Sequence, residues 1–173
     1  MEKTPQLGLS IKLLLFAIPI IFVLASCTKE VPEAERKTSR SEENEVRKTL
    51  NLWVNFYNNG DLENLIGLYT DDYIESTAND EDIVGIDKIR SELSQYMSQY
   101  NGGKWKITIE EVQASGDLAF ARVNGEFEMY YGNSPTTIYS EKSIKILKKQ
   151  KNVGWKFYRT MRIPTFTYDA TTK

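Results

Sequence analysis

Residues 53–61 read WVNFYNNGD and residues 68–72 read LYTDD, and these two stretches decide the fold. The first stretch ends an amphipathic helix that Ser39 or Ser41 can cap, with Glu42 placed for a capping box on Ser39. Its apolar face follows the helical period through Val46, Leu50, Trp53, Val54 and Tyr57. The NNG at residues 58–60 closes the helix, because Asn and Gly accept the left-handed backbone of a helix terminus.

Two further helices and a short strand follow. Asp61 caps a brief second helix that Asp71 and Asp72 end, with a buried side of Leu62, Leu65, Ile66, Leu68 and Tyr69. Residues 73–76 predict a brief strand. A third helix is expected from about residue 87 to 100, since its apolar positions again follow the helical period: Ile86, Ile89, Leu93, Tyr96, Met97 and Tyr100.

The remainder of the chain predicts strands. Apolar and polar side chains alternate over residues 105–110, 118–131, 136–148 and 155–159. Helices followed by a mainly antiparallel sheet are typical of the α+β class. The folded domain is expected over residues 41–164, with a loose tail over residues 165–173.

This order resembles the SnoaL-like and ketosteroid-isomerase-like branches of the nuclear transport factor 2-like superfamily. The resemblance lies in WVNFYNNGD and LYTDD, in VGI at residues 84–86 followed by Ile89, and in GWKF at residues 154–157, and it spans about residues 42–163. It implies a curved sheet that wraps round three N-terminal helices as a cone, with a pocket inside. It also implies a homodimer packed through the outer face of the sheet.

The N-terminal segment predicts export and lipidation. Lys3 and Lys12 precede an apolar run that is too short to span a bilayer and reads as a secretory signal over residues 1–26. The LASC at residues 24–27 resembles a bacterial lipobox, which implies acylation of Cys27 and a polar tether over residues 27–40. Thr28 favours the outer membrane, facing the periplasm. The alternative is ordinary cleavage after Ala25.

Composition excludes several functions. The chain has no histidine and one cysteine, so Ser-His-Asp and Cys-His catalysis and His- or Cys-based zinc sites are excluded. A formal net charge of −2 with no concentrated basic face argues against nucleic acid as a partner. No glycine-rich phosphate loop is present, and we expect neither a cofactor nor a metal ion.

The catalytic residues of ketosteroid isomerases do not carry over by the resemblance. Trp53 stands where that family has a helix-one tyrosine, and Thr77 stands at the position of the base. The third position falls at Glu141 or Lys142, and strand alternation favours an inward Lys142. A lysine cannot act as the neutral acid of such an oxyanion hole.

The remaining candidates define a pocket. Trp53, Tyr57, Tyr73 and Tyr96 can line it, although plain core is the alternative for Trp53 and Tyr57. Arg159 and Lys142 are expected to face the interior, where Arg159 pairs with a carboxylate or an anionic ligand. Glu75 is better explained as an exposed strand carboxylate, and a catalytic base is the alternative, should the protein be an enzyme.

Three functions remain open from the sequence. The first is a binding or accessory module for a small, partly apolar or anionic molecule. The second is a carboxylate-based isomerase, cyclase or hydrolase with Glu75 as base and Tyr73 as donor. The third is a structural domain for dimerisation or partner binding whose interior is filled.

Overall fold

The first helix is longer than the sequence pattern predicts. The computed structural model describes residues 33–78, 80–131 and 134–167, and in it α1 runs from Glu33 to Asn58. Residues 33–40, expected as part of the tether, are therefore helical. Ser39 does not cap the helix; its hydroxyl donates to the Ala114 carbonyl at 3.2 Å, which attaches this turn to the sheet. The predicted signal segment and Cys27 lie outside the described residues.

Two shorter helices follow α1. Asp61 caps α2 (Leu62–Ile66) by accepting a hydrogen bond from the backbone of Asn64 at 3.2 Å. The prediction that Tyr69 lies on this helix is wrong, because α2 ends at Ile66 and Tyr69 begins the first strand. Helix α3 covers Ile86–Gln99 and buries Ile89 and Leu93. Among the described residues, no helix has the length and apolar character needed to cross a membrane.

Six strands form one sheet in the order β2-β1-β6-β5-β4-β3. Their bounds are β1 Tyr69–Thr77, β2 Ile83–Val84, β3 Lys104–Ser115, β4 Leu118–Tyr131, β5 Ser134–Gln150 and β6 Gly154–Thr167. All neighbours are antiparallel except β1 and β6, which run parallel. The predicted α+β class and the mainly antiparallel curved sheet are confirmed.

Strand β6 continues beyond the predicted end of the domain. Pro164 pairs with Glu141 and Thr167 pairs with Tyr139, so residues 165–167 belong to the sheet. Only residues 168–173 of the expected tail lie outside the described part of the chain.

The core lies between the helices and one face of the sheet. Buried side chains of α1 and α3 share one cluster with inward side chains of β4, β5 and β6, among them Val46, Leu50, Leu93, Val123, Leu147 and Phe157. We call the sheet together with the helices packed against its inner face the cone. Its opposite, outer face carries exposed apolar side chains on β5 and β6, where Ile144 pairs with Met161.

Bulges in the long strands decide which side chains face inward. The β4–β5 register shifts between Phe127 and Glu128, leaving Ile138 as an extra residue on β5. The β5–β6 register shifts beside Leu147, leaving Tyr158 as an extra residue on β6. Each extra residue reverses the alternation of the strand that follows it.

Candidate functional site

A cavity of about 550 Å³ opens inside the cone. This volume lies within the range of about 300–1,000 Å³ that small-molecule sites occupy. Its wall includes side chains from α1, α3 and all six strands, with Leu50, Tyr73, Ile83, Ile89, Trp105, Phe127, Lys145 and Arg162 among them. The helices therefore do not fill the interior.

One part of the wall is aromatic. Trp53 stacks on Tyr57 with ring centroids 5.5 Å apart, and Trp105 meets Trp53 edge-on at 5.8 Å. Phe127 packs against Tyr57 at 6.0 Å and against Trp105 at 5.4 Å. The Trp53 indole donates to the Tyr69 hydroxyl at 2.5 Å, so its polar atom is satisfied within the wall. Such a surface presents rigid apolar area to a planar ligand.

The opposite part of the wall holds a buried charged network. Arg162 lies between two carboxylates, with Nη2 2.5 Å from Glu75 Oε1 and Nη1 3.4 Å from Glu141 Oε2. The Tyr73 hydroxyl donates to Glu75 Oε2 at 2.7 Å, and the Tyr139 hydroxyl donates to Glu141 Oε2 at 3.0 Å. Both carboxylates are buried and sit on the cavity wall.

The network fixes the protonation of its members. Burial opposes the charge of Arg162, but the attraction of Glu75 and Glu141 outweighs it and raises the guanidinium pKa. Burial, followed by the charge of Glu75, raises the pKa of Tyr73 well above its usual value. Burial and then Glu141 raise the pKa of Tyr139 in the same way. Both phenols therefore remain hydrogen-bond donors at neutral pH.

A lysine completes the polar end. Lys145 Nζ lies 4.0 Å from Glu141 Oε1 and 6.0 Å from the centroid of the Phe157 ring. Burial lowers the pKa of this amine, and the nearby Glu141 and Glu75 only partly oppose the effect. Two carboxylates, one guanidinium and one amine thus share the interior of the cone.

Six of the residues singled out in the sequence lie on the cavity wall. They are Trp53, Tyr57, Tyr73, Glu75, Thr77 and Tyr96. For Glu75, the interpretation as an exposed strand carboxylate is wrong, because the side chain is buried and paired with Arg162. Trp53 and Tyr57 are both core and pocket residues. Tyr57 belongs to the core and Trp53 packs against it, and both side chains also line the cavity.

The prediction that Lys142 faces the interior is wrong. Alternation from Ile138 correctly places Lys142 in phase with Ile144 and Ile146, but all three are exposed on the outer face. The extra residue at Ile138 reverses the phase, so that Tyr139, Glu141 and Lys145 line the cavity instead. Glu141 is the member of the predicted pair that points inward.

The prediction for Arg159 is wrong for the same reason. The extra residue at Tyr158 turns Arg159 away from the cavity, where its guanidinium lies 3.7 Å from the Tyr158 ring centroid and donates to the Asp72 carbonyl at 2.7 Å. Thr160 and Arg162 face the cavity in its place. An inward arginine on the last strand was correctly expected, but three residues too early.

Sequence reasoning missed Arg162 and Lys145. Arg162 stands beyond the segment assigned to the last strand, and Lys145, within the predicted strand 136–148, is out of phase with Lys142, the residue expected to face inward. Once the extra residue at Tyr158 is known, counting every second residue from Thr160 instead of from Phe157 places Arg162 on the inward face. Nothing in the sequence itself marks the bulge at Tyr158.

The described residues offer no metal centre, since no group of three or more Asp, Glu, Cys or His side chains converges in them. The two cavity carboxylates are instead committed to Arg162 and to tyrosine hydroxyls. The arrangement can accept or donate hydrogen bonds to a polar group, and Glu75 can in principle take a proton.

A family model described as a SnoaL-like domain matches residues 50–150, more than half of the chain. No curated protein matches. Among solved structures, an NTF2-like protein with a cystatin-like fold from Novosphingobium aromaticivorans is 17% identical, covering 79% of this chain and 90% of its own, with a TM-score of 0.69.

Two further structures share the fold. A ketosteroid isomerase-like protein from Erwinia carotovora is 21% identical, covering 72% of this chain and 96% of its own, with a TM-score of 0.59. A protein of unknown function from Mycobacterium tuberculosis is 16% identical, covering 77% of this chain and 76% of its own, with a TM-score of 0.66. At these identities the likeness establishes the fold alone.

Proposed function

We propose that this chain, which belongs to the SnoaL-like domain family, binds a small and partly apolar molecule inside its cone. The observation that carries the proposal is the cavity of about 550 Å³, whose wall combines an aromatic part with a buried charged network in which Arg162 Nε has no hydrogen-bond partner among the described residues. A filled interior, as a purely structural domain would have, does not fit that observation.

The polar network favours a neutral polar group on the ligand over an anion. Arg162 already binds two carboxylates, and the two lone cations expected from the sequence, Lys142 and Arg159, lie off the cavity wall. An anion would bring a third negative charge beside Glu75 and Glu141, at a desolvation cost that the cluster does not offset. A hydroxyl or carbonyl group can instead share hydrogen bonds with the tyrosine hydroxyls.

Fluorescence quenching by 4-nitrobenzyl alcohol tests the proposal. Its nitroaromatic ring suits the aromatic wall and quenches tryptophan emission, and its hydroxyl suits the polar end. The full chain carrying Trp155→Phe retains Trp53 and Trp105, which line the cavity, as its tryptophans. We expect saturable quenching that Ile107→Trp weakens, because Ile107 lines the cavity.

The matched control is Ile109→Trp, on the same strand and outside the cavity lining. Ile109→Trp should leave the affinity for 4-nitrobenzyl alcohol within about threefold of that of the Trp155→Phe chain. A threefold change corresponds to roughly 0.7 kcal/mol, which is within the range expected for a substitution away from the ligand. Linear, non-saturable quenching up to the solubility limit would contradict the proposal.

A carboxylate-based isomerase, cyclase or hydrolase is the second candidate. The burial of Glu75 on the cavity wall, with Tyr73 as its hydrogen-bond donor, favours it. In that role Glu75 would take a proton from the bound molecule and Tyr73 would donate to the developing oxyanion. Glu75→Gln should then abolish turnover of an identified substrate but leave its binding intact. Unchanged turnover would dispose of the candidate.

The cellular setting of the proposed module follows from its N-terminal segment. LASC at residues 24–27 supports acylation of Cys27, which would anchor the cone to the cell envelope, at the outer membrane if Thr28 directs sorting.

The exposed apolar side chains of β5 and β6 support a homodimer through the outer face of the sheet.

A further inference from the structure

Lys145 is the one lysine that lines the cavity in the described part of the chain. It lies deep on β5, in register with Ala121 on β4 and Thr160 on β6, and its side chain is 17% exposed. Lys142, on the same strand, points to the opposite side of the sheet and is exposed on the outer face. The two lysines stand three residues apart and therefore face opposite sides of the sheet, and the bulge at Ile138 decides that Lys145 is the one in the cavity.

The surroundings of Lys145 favour a neutral amine more than water does. Burial is the main cause of its lowered pKa, and the positive charge of Arg162 on β6 acts in the same direction. The opposing charges are Glu141 on β5 and Glu75 on β1, both also engaged by Arg162. From α3, Glu92 lines the cavity but pairs with Lys88 at 2.6 Å.

We propose that Lys145 is a nucleophile that captures the carbonyl group of a small apolar aldehyde or ketone as a Schiff base. The inference rests on the proposed binding function and names the reactive class of ligand. A buried lysine beside a second cation is a known way of activating an amine toward carbonyl compounds. The aromatic wall would hold the rest of the molecule while its carbonyl carbon meets Nζ.

The reaction balances without an oxidant or a reductant. The lone pair of the Lys145 amine forms a bond to the carbonyl carbon, and the carbonyl oxygen takes up the displaced electron pair. One amine proton moves to that oxygen, giving a carbinolamine. The nitrogen then forms a double bond to carbon as the hydroxyl group takes a second proton and leaves as water. The products are an imine and one water molecule.

Glu141 is placed to move these protons. Its Oε1 is 4.0 Å from Nζ, within reach after a small side-chain movement, and its Oε2 accepts from Tyr139. It can take the proton of the first adduct and return it to the departing hydroxyl. A protonated imine would then keep the same carboxylate as its counter-ion.

Reductive trapping on the full chain tests the inference. The chain is incubated in detergent with 4-nitrobenzaldehyde and sodium cyanoborohydride at neutral pH, and the adducts are mapped by peptide mass spectrometry. Lys142 is the internal control. We expect Lys145 to react faster than Lys142, because the lowered pKa of Lys145 leaves more of its amine neutral and the cavity holds the aldehyde beside it. Excess 4-nitrobenzyl alcohol should protect Lys145 and not Lys142.

Two variants sharpen the result. Lys145→Arg should remove this adduct while the adduct at Lys142 persists, and Glu141→Gln should slow trapping at Lys145 without slowing it at Lys142. Protection by the alcohol is measured on the unaltered chain, so the test stands even if a variant fails to fold. Trapping at Lys145 no faster than at Lys142 overturns the inference.

The failure of the inference is distinguishable from that of the proposed function. Saturable binding of 4-nitrobenzyl alcohol without selective trapping at Lys145 overturns the Schiff base and leaves the binding function standing. Loss of both binding and trapping overturns the two together.

Discussion

Replacing Arg162 with methionine should destabilise the chain by about 3–5 kcal/mol. The side chains of Arg162, Glu75 and Glu141 are only 21%, 9% and 5% exposed, so the ion pairs that join them are shielded from water. Removing the guanidinium leaves buried Glu75 without an ion-pair partner and buried Glu141 with Lys145 alone, 4.0 Å away. A surface pair such as Arg122–Glu111, at 55% and 36% exposure, is worth about 1 kcal/mol or less.

Urea unfolding of the full chain, followed by tryptophan emission, measures this cost. With a slope of about 2 kcal/mol per molar, the urea midpoint of Arg162→Met should fall by about 2 M. The matched control is Arg159→Met on the same strand, which loses a hydrogen bond to a backbone carbonyl and should cost about 1 kcal/mol. The deficit of Arg162→Met should shrink toward acidic pH, because protonated carboxyl groups are cheaper to bury.

Equal losses for Arg162→Met and Arg159→Met would refute the reasoning. So would a deficit of Arg162→Met that is independent of pH. Either result would mean that the charged network is solvated and does not form the closed end of the cavity.

Three other predictions concern the tyrosines, the outer face and the anchor. Burial raises the pKa of Tyr57 to about 12 and raises the pKa values of Tyr69 and Tyr73 well above their usual value. The unfolded chain ionises these three groups from about pH 10, so the free energy of unfolding should fall as pH rises from there. A free energy of unfolding that stays constant above about pH 10 would contradict this. Ile144→Lys, in the exposed apolar face beside Met161, should convert the proposed dimer to a monomer by light scattering; Val153→Lys, in an exposed turn, is the control. Cys27→Ser should release the chain from the membrane fraction, and continued membrane attachment of this variant would exclude the lipid anchor.

Periodicity predicted the elements of this fold but not the phase of its long strands. The helical spacing from Val46 to Tyr57 and the alternation over residues 118–131 are local properties, and the structure has a helix and a strand there. A bulge, by contrast, arises where two strands of different curvature must stay hydrogen-bonded, so it depends on the partner strand. Ile138 and Tyr158 carry no feature that marks them as extra residues.

The candidate site shows the consequence of these bulges. Among residues before the bulges, Trp53, Tyr57 and Tyr73 lie on the cavity wall, as the helix and strand patterns allow, whereas Glu75 is buried there although its pattern favours an exposed carboxylate. Residues after the bulges were assigned to the wrong face of the sheet. Lys142 and Arg159 were predicted to line the cavity, whereas Glu141, Lys145 and Arg162 line it. The kind of chemistry expected inside the cone was close, but the charge balance was wrong. Two buried carboxylates replace an expected pair of free cations.

Native mass spectrometry of the full chain, extracted gently from the membranes of its own host, tests the central claim most directly. The account predicts a co-purifying small molecule on the unaltered chain and on Ile109→Trp, and its loss from Ile107→Trp, which narrows the cavity. A chain that carries no small molecule, and that takes up none when offered the apolar extract of its host, would contradict the claim that the cone is a binding site.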